Sequence, residues 1–141
     1  MSVETLLGFD FGVRRIGVAV GQTLTGKARP LAVVHCLDRG QPDWSAIDTL
    51  IRQWRPQALV VGRPSHADGS DNPTSVASDR FSDRLAERYQ LATHRVDERL
   101  SSHEAGQRLQ ELGTRERQKP GAVDMMAACV ILETWLAEPS A

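Results

Sequence analysis

Leu6-Leu7-Gly8-Phe9-Asp10-Phe11-Gly12-Val13-Arg14-Arg15-Ile16-Gly17-Val18-Ala19-Val20-Gly21 sets two short apolar runs on either side of a turn containing glycine and two arginines. Runs of this length, interrupted by glycine, predict a β-hairpin of Leu6 to Asp10 and Ile16 to Gly21. Leu31 to Leu37 adds a third strand, so an antiparallel meander opens the fold. Trp44, Ile47, Ile51 and Trp54 then recur at helical spacing after Pro42-Asp43, and Arg55-Pro56 ends that helix before a strand at Ala58 to Val61. A polar turn, Gly62 to Pro73, precedes a second helix marked by Ala77, Phe81, Leu85 and Tyr89, and Leu91 to Val96 is the fifth strand. Ser101 with Glu104 forms a capping-box pattern ahead of Ala105, Leu109 and Leu112; Gly113 and Pro120-Gly121 separate that helix from a last one opened by Asp124. Alternating helices and strands imply parallel pairing in the second half. The expected class is α/β: a five-stranded mixed sheet, antiparallel meander first and parallel strands after, flanked by helices.

The chain has 141 residues, 40% hydrophobic and 25% charged, which is enough for one domain with a true core and too little for two lobes. Seventeen Lys and Arg stand against 18 Asp and Glu, for a net charge of -1, so any nucleic-acid surface must be local rather than a global positive field. Cys36 and Cys129 lie inside apolar segments without CxxC spacing, which points to buried thiols in a reducing cytosol. Met1-Ser2-Val3-Glu4 has no basic region followed by an apolar signal core. The longest apolar stretch, Ala122 to Leu136, contains Asp124 and Glu133 and is shorter than the ~20 residues of a membrane span.

The chemistry is carried by acids at the ends of apolar elements. Along the first strand Asp10 shares a face with Leu6 and Gly8, while Leu7 and Phe9 point the other way, so Asp10 lies at a mouth of the core. Asp97 and Glu98 follow the fifth strand. Taken singly, Asp10 also fits a turn aspartate and Asp97-Glu98 a solvated strand end. Asp124 shares a helical stripe with Ala128, Ile131 and Trp135, a face that otherwise reads as buried, and a carboxylate there demands a metal, a cation or a helix N-terminus as partner. Three or four acids with no His or Cys cluster among them suit a hard divalent ion such as magnesium, and hence phosphate chemistry.

Phe9 to Gly21 resembles the opening signature of the YqgF family, also called RuvX-like, within the RNase H-like superfamily. The likeness continues through Thr25 to Leu31, Val60-Val61-Gly62-Arg63-Pro64 with Asp68-Gly69, Asp97-Glu98-Arg99-Leu100-Ser101, and Val123-Asp124. It departs at Arg63, where Leu or Ile is usual, and at Ser65-His66-Ala67. The resemblance implies an RNase H-like fold and a cytoplasmic bacterial nuclease that processes the 5′ end of precursor 16S ribosomal RNA. Members of the family have also been labelled Holliday junction resolvases.

The family's acidic constellation falls on Asp10, Glu98 and Asp124, the acids already singled out. The resemblance implies catalysis with two Mg2+ or Mn2+ ions ~3.5 to 4 Å apart, bridged by Asp10 and completed by Glu98 and Asp124. Arg14, Arg15, Arg99 and Lys119 are the candidates for backbone phosphate contacts, with Lys27, Arg29, Arg115 and Arg117 as further cations. Precursor RNA and branched DNA are both open as substrates, because phosphate hydrolysis uses the same groups for each; monomer and homodimer are open as well. Two other classes compete. Asp10-Phe11-Gly12 also looks like the first phosphate loop of actin-like ATPases, although 141 residues supply only one of their two lobes. A noncatalytic RNA-binding assembly factor would keep its role with the acids neutralised.

Overall fold

A computed structural model describes residues 4–38, 41–64, 73–97, 107 and 121–137. Five strands form one sheet in the order β3-β2-β1-β4-β5. β1 (Thr5–Asp10), β2 (Arg15–Gln22) and β3 (Ala28–His35) are antiparallel neighbours, and β4 (Ala58–Arg63) and β5 (Ala92–Asp97) extend the sheet in parallel beyond β1. Helix α1 (Trp44–Trp54) connects β3 to β4, α2 (Pro73–Tyr89) leads into β5, and α3 (Ala122–Ala137) is the last described element. The expected α/β meander-then-parallel architecture is the one observed. The capping-box segment around Ser101 and Glu104 lies outside the described residues.

Local chemistry explains the boundaries. Asp43 caps α1 by accepting from the Ala46 backbone N–H at 3.4 Å, and Arg55 ends it in the left-handed conformation (φ 45°) immediately before Pro56. The third strand runs three residues earlier than the expected Leu31 start and stops at His35. The strand takes in Arg29 and Pro30 because β3 is at the sheet edge, where a missing N–H costs no ladder bond. The register shifts between Val18 and Ala19, whose partners are Ala32 and Pro30, leaving Leu31 as the extra residue of a bulge.

Alternation along the strands divides the core between the two sheet faces. Leu7, Phe9, Ile16, Val18, Leu59 and Val61 pack beneath α1 and α2, around Phe81, whose ring meets Phe9 at 5.7 Å, Phe11 at 5.2 Å and Trp44 at 5.7 Å. Leu6, Ala19, Val60 and Val96 pack on α3, whose residues from Met126 to Leu132 are buried without a break. Both cysteines are free, Cys129 buried and Cys36 half-buried; burial pushes the Cys36 thiol above its ordinary range. No helix among the described residues is long and apolar enough to cross a membrane.

Two charged clusters fasten α2. Arg88 clasps Asp48 of α1 with both arms at 2.9 and 2.8 Å, and Tyr89 donates its hydroxyl to the same carboxylate at 2.6 Å. Arg63, the departure in the glycine-proline turn, donates to Asp79 at 3.1 and 3.3 Å. Arg95 also donates to Asp79, at 2.8 Å, and reaches Ser78 Oγ at 2.8 Å, tying β4 and β5 to the helix. Hydrogen bonds from Arg88 first and Tyr89 second hold the Asp48 carboxyl down at about 2. With its folded value below the ~3.9 of an unfolded aspartate, Asp48 contributes stability that is complete above that value and is lost as pH falls through about 2. Asp48→Asn is therefore expected to melt below the wild type at pH 7, with the difference closing between ~pH 4 and pH 2. Thermal melts across that range check it; a constant difference would place the contribution elsewhere.

Candidate active site

The site forms where the carboxyl end of β1 meets the start of α3. Asp10 is the last residue of β1 and the direct cross-strand partner of Gly17 on β2. Opposed residues of an antiparallel pair present their side chains to one face. Leu6, which precedes Asp10 by four residues, packs on α3, so Asp10 belongs to the α3 face as expected. On that face Gly17 is covered by α3 itself: a Cβ added there would run into the Asp124 carbonyl and lie 2.8 Å from Met125 N. Only glycine permits that approach. Gly121, at φ 76° and against Val33, turns the chain into the helix just before this contact.

Asp10, Gly17 and Asp124 are thus neighbours through backbone packing. Asp124 is the third residue of α3, in the first turn, where the helix dipole also favours a carboxylate. Arg15, on the same face of β2 as Gly17, places Nε 3.2 Å from Asp124 Oδ2. Side-chain exposures of 51% for Arg15 and 25% for Asp124 mark a surface pair worth about 0 to 1 kcal/mol, which orients the carboxylate without holding the helix. Arg14 is exposed in the β1–β2 connection, where its carbonyl accepts from Cys36 N at 2.9 Å.

Asp97 is separated from this group by strand alternation. It pairs with Arg63 in the β4–β5 register and shares the parity of Arg95, which reaches Asp79 on α2. That is the face opposite Asp10. Of the acids expected in the site, the structure brings together Asp10 and Asp124; Glu98, Arg99 and Lys119 lie outside the described residues. Among the described residues no group of three or more potential ligands is assembled. The donors present, two carboxylates at a sheet mouth with a guanidinium already paired to one of them, fit a hard cation. Sequence reasoning missed Gly17 as the contact that sets their separation; its signal was a third glycine, after Gly8 and Gly12, in the opening hairpin.

This sheet order, with an acid at the tip of its central strand and another opening the last helix, defines an RNase H-like fold of the resolvase type. The Thermus thermophilus RuvC structure in complex with a Holliday junction substrate superposes with a TM-score of 0.58 at 17% identity, covering 94% of this chain and 93% of that one. The model of the RuvX family, described as Holliday junction resolvase, matches residues 4–138, and the chain belongs to that family. Relatives named "Putative pre-16S rRNA nuclease" occur in Azotobacter vinelandii, 48% identical over 94% of this chain and 93% of its own length, and in Legionella pneumophila, 51% identical over 92% and 93%.

Gly17→Ala is expected to destabilise the protein by about 1 to 3 kcal/mol or more, since the new methyl meets backbone that cannot rotate away. Urea unfolding measures it; a loss below about 0.5 kcal/mol would show that α3 can move off β2 without cost.

Proposed function

We propose that this protein is a divalent-metal-dependent nuclease of the bacterial cytoplasm that hydrolyses phosphodiester bonds of precursor 16S ribosomal RNA at its 5′ end. The observation that carries the reading is the packing of Asp124 against Gly17, directly across the ladder from Asp10. The names of the relatives support precursor 16S rRNA as the substrate.

Asp10 and Asp124, with Glu98, are the residues that would hold Mg2+ or Mn2+. Bound there, divalent ions supply the positive charge that activates an attacking water and stabilises the leaving oxygen. The chain's own part is positional. Gly17 lets α3 approach β2 closely beside Asp10, and Arg15 orients the Asp124 carboxylate at the mouth. Asp97 faces α2, which favours Glu98 as the third acid. Arg14 and Arg15, beside the mouth, are the proposed phosphate contacts, together with Arg99 and Lys119. Water is the nucleophile, so no Ser, Cys or His needs to stand in the site.

A second reading, cleavage of branched DNA, is favoured by the description of the family model and uses the same acids. Cleavage of a 5′-extended precursor 16S RNA fragment and of a four-way DNA junction, run side by side with Mg2+ or Mn2+, separates them. The wild type is expected to cut the RNA, and Asp10→Asn to lose at least ~100-fold in rate, the scale of removing one electrostatic contributor. Junction cleavage alone would move the function to recombination. RNA binding with no cleavage of either substrate would mark an assembly factor.

A further inference from the structure

Helix α2 carries acids at Asp79, Asp83 and Glu87 and arginines at Arg80, Arg84 and Arg88. Each series recurs every four residues, so the two form adjoining stripes about 100° apart around the helix. Asp79 turns to the arginines of β4 and β5. Arg88 turns to α1, where it is clasped by Asp48 and lies 5.3 Å over the ring of Trp44. Arg80 and Arg84 are different: both are exposed, and neither is paired with a carboxylate among the described residues. Arg84 donates only to the neutral Gln41 side chain, at 2.9 Å.

These two arginines form one wall of a groove of about 200 Å³, whose apolar lining is the exposed Val13 over the buried Phe11, Pro42 and Phe81. Phe11 follows Asp10 directly in the chain, so the groove lies at the same end of β1 as Asp10, on the opposite sheet face. Val13, 57% exposed, offers the accessible apolar surface of the groove. Through Arg84 the groove continues into a second hollow of about 380 Å³ beside Trp44, Glu87 and Arg88. Paired cations along one wall beside an exposed apolar side chain match a single nucleic-acid strand, whose phosphates meet the first and whose bases meet the second.

We infer that this groove binds the single-stranded RNA flank of the substrate, with Arg80 and Arg84 on its phosphates and Val13 against its bases. The identity of the strand as substrate flank rests on the nuclease reading; the groove's affinity for single strands does not.

Binding of a labelled single-stranded RNA of about 12 nucleotides, within the range one binding fold covers, tests this by fluorescence anisotropy at several salt concentrations. Arg80→Ala/Arg84→Ala is expected to bind at least ~10-fold more weakly, and the slope of log K against log salt is expected to fall by about 1.4, or 0.7 for each lost contact on a single strand. Val13→Glu, which leaves both arginines in place, is expected to weaken binding independently. Circular dichroism confirms that each variant is folded. Unchanged affinity and slope in the double variant would overturn the inference, as would equal competition by duplex RNA of the same length. A wild type that binds the strand through these residues but cuts nothing would leave the groove standing and remove the nuclease reading. A wild type that cuts, with binding unaltered in the variants, would do the reverse.

Discussion

Direct contact between the backbone of α3 and the backbone of β2 at Gly17 is the constraint on which the site depends. The helix is driven onto the sheet by burial of an almost wholly apolar segment, Met126 to Leu132, against Leu6, Ala19, Val60 and Val96. Ordinary helix-on-sheet packing would hold the two a side chain apart. Here the missing side chain of Gly17 lets the Asp124 carbonyl fall where a Cβ would sit, and a similar contact at Gly8 with Ala128 and Leu132 keeps the helix close one turn further along. Asp10 lies opposite Gly17 in the ladder, so hydrophobic docking delivers one carboxylate to another. Arg15 pairs with Asp124, and the N-terminus of α3 also favours a carboxylate there.

The two faces of the sheet handle charge differently. On the α3 face, acids gather at one end and Arg15 offsets part of their charge. On the α2 face the charges are structural: Arg63 and Arg95 share Asp79, while Arg88 and Tyr89 share Asp48. Burial alone would raise the Asp79 carboxyl, but hydrogen bonds from Arg63 and the charge of Arg95 hold it below its ordinary value. Against that background Arg80 and Arg84 stand out. They follow the same helical repeat as Arg88 and line a groove without a carboxylate to neutralise them.

Much of this was legible in the residues. Hairpin glycines between apolar runs, the spacing of Trp44, Ile47, Ile51 and Trp54, and Pro56 after Arg55 mark their elements because each acts through local backbone chemistry. The face of Asp10 followed from strand alternation alone. Less legible were features set by tertiary position. β3 admits Pro30 because it is an edge strand, which only the sheet order reveals. Gly17 reads as one glycine among several until α3 is seen to cover it. Arg63 read as a departure from a turn pattern, and its partner Asp79 lies sixteen residues away. Strand alternation alone did not separate Asp97 from Glu98, where the family resemblance fell on Glu98; the β4–β5 register turns Asp97 toward α2. The helix from Ser101, and the roles of Glu98, Arg99 and Lys119, rest on the sequence.

The most direct test is a titration of Mn2+ into the wild type, Asp10→Asn and Asp124→Asn, followed by calorimetry. One shared cation site predicts binding in the wild type that is lost in both variants, although the two residues lie on separate elements 114 positions apart in a chain of 141. A variant that is folded and still takes up the metal with wild-type affinity would contradict a site built by docking α3 at Gly17.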